Sequence, residues 1–280
     1  MWNHNGQLTS EHTPLEGSLV RGLLNGLVYT ESVRIKERNI FFWDHHYFNL
    51  MAFLRLNRVE IPEKYSLHYL KTEVLKTRDL RCDSKNVLVD IYLLVQPDAK
   101  KNPKKIEFFM ESKRTDSLKN QISTTSHQTD VFDEIRIISN RLSNQTSINQ
   151  LVFNVARSYA KENKLDSVLL INESRDLVES IDGSLFLYNQ KNNKICTPSL
   201  ESGCQNLAIR LDFIDFIEKS TEIKFVCESV TSHQLKQSDE LMVLSIQKGV
   251  TCVTSYRGSY YKTSVTENLF NQYCIDRGLI

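Results

Sequence analysis

The chain has 280 residues, 40% of them hydrophobic, enough to build sizeable cores in one large domain or two modest ones. Lys and Arg total 35 against 34 Asp and Glu, a formal net charge of +1 scattered along the chain, which excludes the basic footprint of a nucleic-acid binder. No apolar run approaches the roughly 18 residues that span a bilayer, and MWNHNGQLTSEHTP lacks a signal peptide's charged start and apolar middle, so a soluble cytoplasmic protein with no membrane partner is expected.

In chain order, LVYTESVRI and NIFFW read as two strands joined by the charged turn Lys36 to Arg38. Asp44 is a candidate N-cap, and Tyr47, Leu50, Met51 and Leu54 recur at helical spacing until the chain reaches Pro62. A second helix buries Leu67, Leu70 and Val74. Then VLVDIYLLV and IEFFM read as buried strands flanking the turn-rich QPDAKKNPKK. Residues 1–110 thus form an α+β domain, and the polar stretch 111–130 is expected to be a connection. In residues 131–280, EIRII reads as a strand. Ile148, Leu151, Val152, Val155, Ala156 and Tyr159 form a helical stripe behind the cap candidates Thr146 and Ser147. SVLLIN, SLFLY, IKFVCESV, LMVLSI and VTCVTSY supply further strands, with helices at about 205–219 and 266–274. The alternation is α/β-like without a doubly wound pattern.

There are nine glycines, and none lies between Gly26 and Gly183. No glycine-rich phosphate loop or nucleophile elbow is present. Cys82, Cys196, Cys204, Cys227, Cys252 and Cys274 form no C-x-x-C pair and read as buried free thiols. Glu31 and Arg34, three apart on a strand, point to opposite faces and read as surface or partner-facing charges. His45 and His46 diverge on their helix, so no metal pair is expected.

Specific strings now add up. Asn5, Gly6, Arg21, Gly22, Gly26, Glu31, Arg34 and His46 fall in register with an early Asn-Gly turn, a stretch like R-G-x-x-Y-G-D-G-x-F-E-T-x-R, and a helix with His and Arg three residues apart. INQLVFNVARSYAKENKLDSVLLIN, LVESIDGSLFLYNQKNNKICTPSLESGCQNLAIR and DELMVLSIQKGVTCV follow in order. Over nearly its whole length the chain resembles the fold-type IV pyridoxal-phosphate enzymes, which include branched-chain and D-amino-acid aminotransferases and 4-amino-4-deoxychorismate lyase. The resemblance implies a two-domain α/β (α+β) fold, a homodimer with VYTESVRI and IFFW as its apolar surface, and an interdomain cleft lined by Thr146, Glu179 and the turn after Gly203.

The positions that the resemblance assigns to the cofactor depart from the family. Aligned on Asn149 and Ala156-Arg157, Thr146 stands where the Schiff-base lysine belongs, which removes both a covalent anchor and a general base. Asn49 replaces the phosphate-gripping arginine. Leu207, Ala208, Ile209 and Arg210 replace a G-I-T-R turn, and Leu244, Ser245 and Ile246 replace T-N-S. Lys161 and Lys164 read as solvated, and Lys113 and Lys119 fall in the connection, so no lysine substitutes. Glu179 matches the glutamate that keeps the pyridine nitrogen protonated, although a glutamate before an Asp-Gly turn also reads as a solvated charge. Three charge-assisted hydrogen bonds at roughly 1.5–3 kcal/mol each total at least about 4 kcal/mol, on the order of a thousandfold in affinity. The expectation is therefore a class IV aminotransferase-like protein without Schiff-base chemistry and without bound cofactor. Its cleft, with Asn25, Asn49, Thr146 and Ser245, is reused for a small molecule or partner. The alternative is an active pyridoxal-phosphate-dependent aminotransferase or lyase.

Overall fold

The computed structural model describes residues 2–9, 20, 24, 28–81, 83–96, 105–118, 122–123, 127–147 and 149–279. Arg21, Gly22, Asn25, Gly26, Cys82, Lys119 and Ile148 lie outside the described residues. The chain divides into two compact units, the first made of Met1–Asp116 with Gln145–Asn149, the second of Ser117–Asn144 with Gln150–Ile280.

The first unit holds β1 (Trp2–His4), β2 (Gln7–Thr9), β3 (Val28–Lys36), β4 (Asn39–Ile40), α1 (Trp43–Leu56), α2 (Leu67–Arg78), β5 (Asn86–Gln96) and β6 (Lys105–Arg114). Its sheet has the order β2-β1-β6-β5-β3-β4. Asn5 and Gly6, with φ of 50° and 93°, close the β1–β2 hairpin in the doubly left-handed turn that matches strand twist. Strand alternation sends Tyr29, Val33 and Ile35 of β3 and Val87, Val89, Ile91, Leu93 and Val95 of β5 to one face. Leu50, Met51 and Leu54 of α1 and Leu70 and Val74 of α2 cover that face. Two expectations fail here. Trp43 opens a helix instead of extending a strand, because Phe42 takes a left-handed φ of 56° at the N-cap position; Asp44 lies in the first turn. Val28, Tyr29, Val33 and Ile35 are also buried within the unit and so supply no exposed dimer surface.

The second unit contains β7 (Ile122–Ser123), β8 (Gln128–Ile137), α3 (Leu151–Glu162), β9 (Ser167–Asn172), β10 (Leu177–Ser180), β11 (Ser184–Asn189) and β12 (Lys194–Pro198). These are followed by α4 (Ala208–Ser220), β13 (Lys224–Glu228), α5 (Ser232–Gln237), β14 (Glu240–Ser245), β15 (Gly249–Val253), β16 (Ser255–Tyr256), β17 (Ser259–Tyr260) and α6 (Ser264–Asp276). Two sheets form, β10-β9-β8-β16-β17 and β13-β12-β11-β14-β15-β7. Leu169, Ile171, Leu185, Leu187, Leu241 and Val243, drawn from both sheets, share one core. Stretch 111–130 therefore contains the end of β6, all of β7 and the start of β8. Gln150, not Thr146 or Ser147, occupies the N-cap position of α3. Among the described residues no helix is long and apolar enough to cross a membrane, and no group of three or more His, Cys, Asp or Glu is placed to hold a metal ion.

Candidate functional site

In the first unit, Gln145–Asn149 runs beside the part of β3 that the two-residue β4 leaves open. The Thr30 N–H donates to the Thr146 carbonyl at 3.3 Å, and Tyr29 bridges Ser147 in antiparallel fashion. The Thr146 hydroxyl donates to the Thr30 carbonyl, so it ties the segment to the strand and is not free to cap α3. Thr146 is half-buried.

The next residues along β3 overturn the surface reading of Glu31 and Arg34, because only 7% and 2% of them are exposed. Alternation sets Glu31 on the face of Tyr29, Val33 and Ile35, beneath α1. There its carboxylate meets the His46 ring, Nδ1 to Oε1 at 2.6 Å, and accepts from the Tyr29 hydroxyl. Burial first, then the Glu31 charge, pushes the Tyr29 phenol well above its ordinary range. Arg34, on the opposite face, donates to the Asp116 carbonyl at 2.6 Å and to Thr115 Oγ1 at 3.4 Å. Asn49 follows His46 by one helical turn and is buried. The Tyr29–Glu31–His46 cluster escaped the sequence reading, although the apolar residues alternating with Glu31 were a usable signal for its inward direction.

In the second unit, Glu179 is buried on β10, a strand with every residue buried. Desolvation pushes its carboxyl up to about 8, against the lowering effects of the Gln205 N–H and the Arg210 charge. The Gln205 N–H reaches its Oε2 at 3.4 Å. The solvated-charge reading of Glu179 is thus replaced by a desolvated acid. Gln205 precedes α4, whose N-cap position, Leu207, makes no side-chain cap bond and whose first residues, Ala208 and Ile209, are buried. Arg210 is also buried; its Nη2 donates to the Pro198 carbonyl at 2.8 Å, while Nε has no partner among the described residues.

At the far end of β14, Leu244 is fully buried, and the Ser245 hydroxyl accepts from the N–H groups of Gln247 and Lys248, both at 3.3 Å. A Cβ on Gly183 would stand 2.2 Å from the Leu244 carbonyl oxygen, so β11 and β14 meet there with no room for a side chain. The second unit therefore brings Glu179 to the turn that leads into α4, and the Gly183 turn to Leu244 and Ser245. Among lysines whose side chains are described, none is buried. A separate surface groove of about 550 Å³ in the first unit, lined in part by Leu8, Arg38, Lys76 and Asp79, includes none of these residues.

Comparisons place this geometry among known folds. No curated protein sequence matches the chain. Among solved structures, a branched-chain aminotransferase from Thermoproteus uzoniensis, with norvaline, superposes with a TM-score of 0.85 at 16% identity, covering 99% of this chain and 95% of that one. A branched-chain amino acid aminotransferase from Thermobaculum terrenum, in its PLP form, gives 0.83 at 16% identity, with coverage of 100% and 94%. The 4-amino-4-deoxychorismate lyase from Pseudomonas aeruginosa gives 0.81 at 13% identity, with coverage of 99% and 98%. Residues 29–256, from the second residue of β3 to the end of β16, match the family described as Amino-transferase class IV, and the chain belongs to this family.

Proposed function

We propose that this family member does not form a Schiff base with pyridoxal phosphate and that its residues at the family's cofactor positions bind a different small molecule or a partner. The observation that carries the reading is the Thr146 hydroxyl engaged on the Thr30 carbonyl, together with the lack of a buried lysine among the described side chains. Glu179, a buried carboxyl that holds its own proton up to about pH 8, can share that proton with a ring nitrogen. The phosphate end does not fit. Ala208 and Ile209 offer no hydroxyl, Leu244 is apolar, and the Ser245 oxygen is already an acceptor for two local N–H groups. Asn49 carries no charge. At roughly 1.5–3 kcal/mol for each missing charge-assisted bond, the loss exceeds about 4 kcal/mol, on the order of a thousandfold in affinity.

The purified protein is expected to be colourless and to gain no saturable near-ultraviolet or visible band on titration with pyridoxal phosphate. Borohydride should fix no adduct at a single lysine. Thr146→Lys alone should restore little, and Thr146→Lys with Asn49→Arg should bind better than either change separately. A yellow protein that transaminates amino acids would establish instead the second reading, an active aminotransferase or lyase, which the buried Glu179 favours. The homodimer belongs to this proposal through the family resemblance alone; light scattering on the same preparation that gives 32.5 kDa at every concentration overturns it.

A further inference from the structure

β13 is the longest sheet edge among the described residues. The other edge strands, β2, β4, β10, β17 and β7, have three, two, four, two and two residues, and β10 is wholly buried. β13 has five, Lys224–Glu228, with Lys224 and Cys227 exposed and Phe225, Val226 and Glu228 half-buried. Among the described strands it pairs with β12 alone, in parallel. The Lys224 N–H donates to the Asn193 carbonyl at 2.9 Å, and the Glu228 carbonyl accepts from the Ser199 N–H at 3.1 Å. In a parallel ladder every second residue turns both main-chain groups to the same neighbour, so Lys224, Val226 and Glu228 face β12. Phe225 and Cys227 therefore turn their N–H and C=O groups outward. A half-apolar edge of this kind is a template for another strand.

We infer that this other strand belongs to a second copy of the chain, paired antiparallel with β13 about a two-fold axis at Val226. The charges choose both the partner and the register. An outward-facing residue must meet an outward-facing one, so Phe225 can meet Phe225, Cys227 can meet Cys227, or each can meet the other. Only the last sets Lys224 opposite the second copy's Glu228, and the two-fold repeats that pair at the other end of the strand. Glu228 also holds Lys194 at 2.6 Å, so each carboxylate then lies between two ammonium groups. One face of the paired strands carries Val226 against Val226. On the other, Phe225 packs on Cys227, whose sulfur lies 3.8 Å from Nη2 of buried Arg210. The six-stranded sheets of the two copies become continuous. The inference concerns the second unit and stands apart from the cofactor reading and from the family dimer, neither of which supplies this surface.

The test uses the full-length protein. Val226→Cys, made together with Cys227→Ser so that one new thiol lies on the axis, should form a disulfide-linked dimer in oxidised glutathione, and Cys227→Ser alone should not. Lys224→Glu sets like charges opposite each other at both ends and should weaken self-association, followed by sedimentation, about tenfold or more. Glu228→Lys should do the same. An equal mixture of these two variants should associate as the wild type does, because each mixed pair regains opposite charges at both ends. Should Glu228→Lys fail to fold without its Lys194 contact, the cross-link and Lys224→Glu decide. Either a missing cross-link or a self-association that Lys224→Glu leaves unchanged overturns the inference while leaving a family dimer intact. A single species of 32.5 kDa at every concentration overturns both.

Discussion

Glu179 shows how burial alone changes what a side chain does. Its carboxyl is pushed from 4.5 to about 8 by desolvation, which the Gln205 N–H and Arg210 only partly offset. The fold therefore keeps a proton that the unfolded chain releases. The contribution of Glu179 to stability is full below the unfolded value, is lost as pH rises between about 4.5 and about 8, and is absent above. At about 1.4 kcal/mol per pH unit, the effect is on the order of 5 kcal/mol. Glu179→Gln is expected to remove this slope and to be more stable than wild type at alkaline pH. Urea midpoints for both proteins across that window check it; parallel curves would mean that Glu179 is charged throughout.

A helix is often capped by a residue far from it in sequence, and α6 is such a case. Thr263, at its N-cap position, makes no side-chain cap bond. Buried Glu240, the first residue of β14, accepts instead from the N–H groups of Val265 at 3.0 Å and Thr266 at 2.8 Å, and from the Thr266 hydroxyl at 3.0 Å. A carboxylate on the free N–H groups of a first helical turn also meets the positive end of the helix dipole. Glu240→Gln is expected to cost about 1–2 kcal/mol and Glu240→Ala more, since the Ala variant leaves buried donors unpaired. Equilibrium urea unfolding followed by circular dichroism measures both, and a change under about 0.5 kcal/mol for the Ala variant would contradict the role.

The two units are not cut from the chain at one point. Gln145–Asn149 belongs with the first unit although residues on both sides of it belong with the second. What holds it there is the Thr30 N–H to Thr146 carbonyl bond, the Thr146 hydroxyl and the Tyr29–Ser147 bridge. Both tryptophans, Trp2 and Trp43, lie in the first unit, so their fluorescence reports its unfolding. Thr146→Val keeps the shape and removes the hydroxyl. It should destabilise the fluorescence-detected transition by about 1 kcal/mol, and an unshifted midpoint would show that the tie contributes nothing to that unit.

Local periodicity was enough to find β3, α1, α2, β5 and β6, because alternation and a 3.6-residue stripe are written in neighbouring residues and need no distant partner. Sequence alone likewise determined the family, through turn and helix strings that keep their order. What it left to the tertiary structure were the fates of single polar groups. Whether Glu31 and Glu179 meet water depends on α1 folding over β3 and on the second-unit core closing around β10. Whether Thr146 caps a helix or ties a strand depends on Thr30, more than a hundred residues earlier. Desolvation and hydrogen bonds of that kind are set by contacts made across the chain, so only the folded molecule decides them.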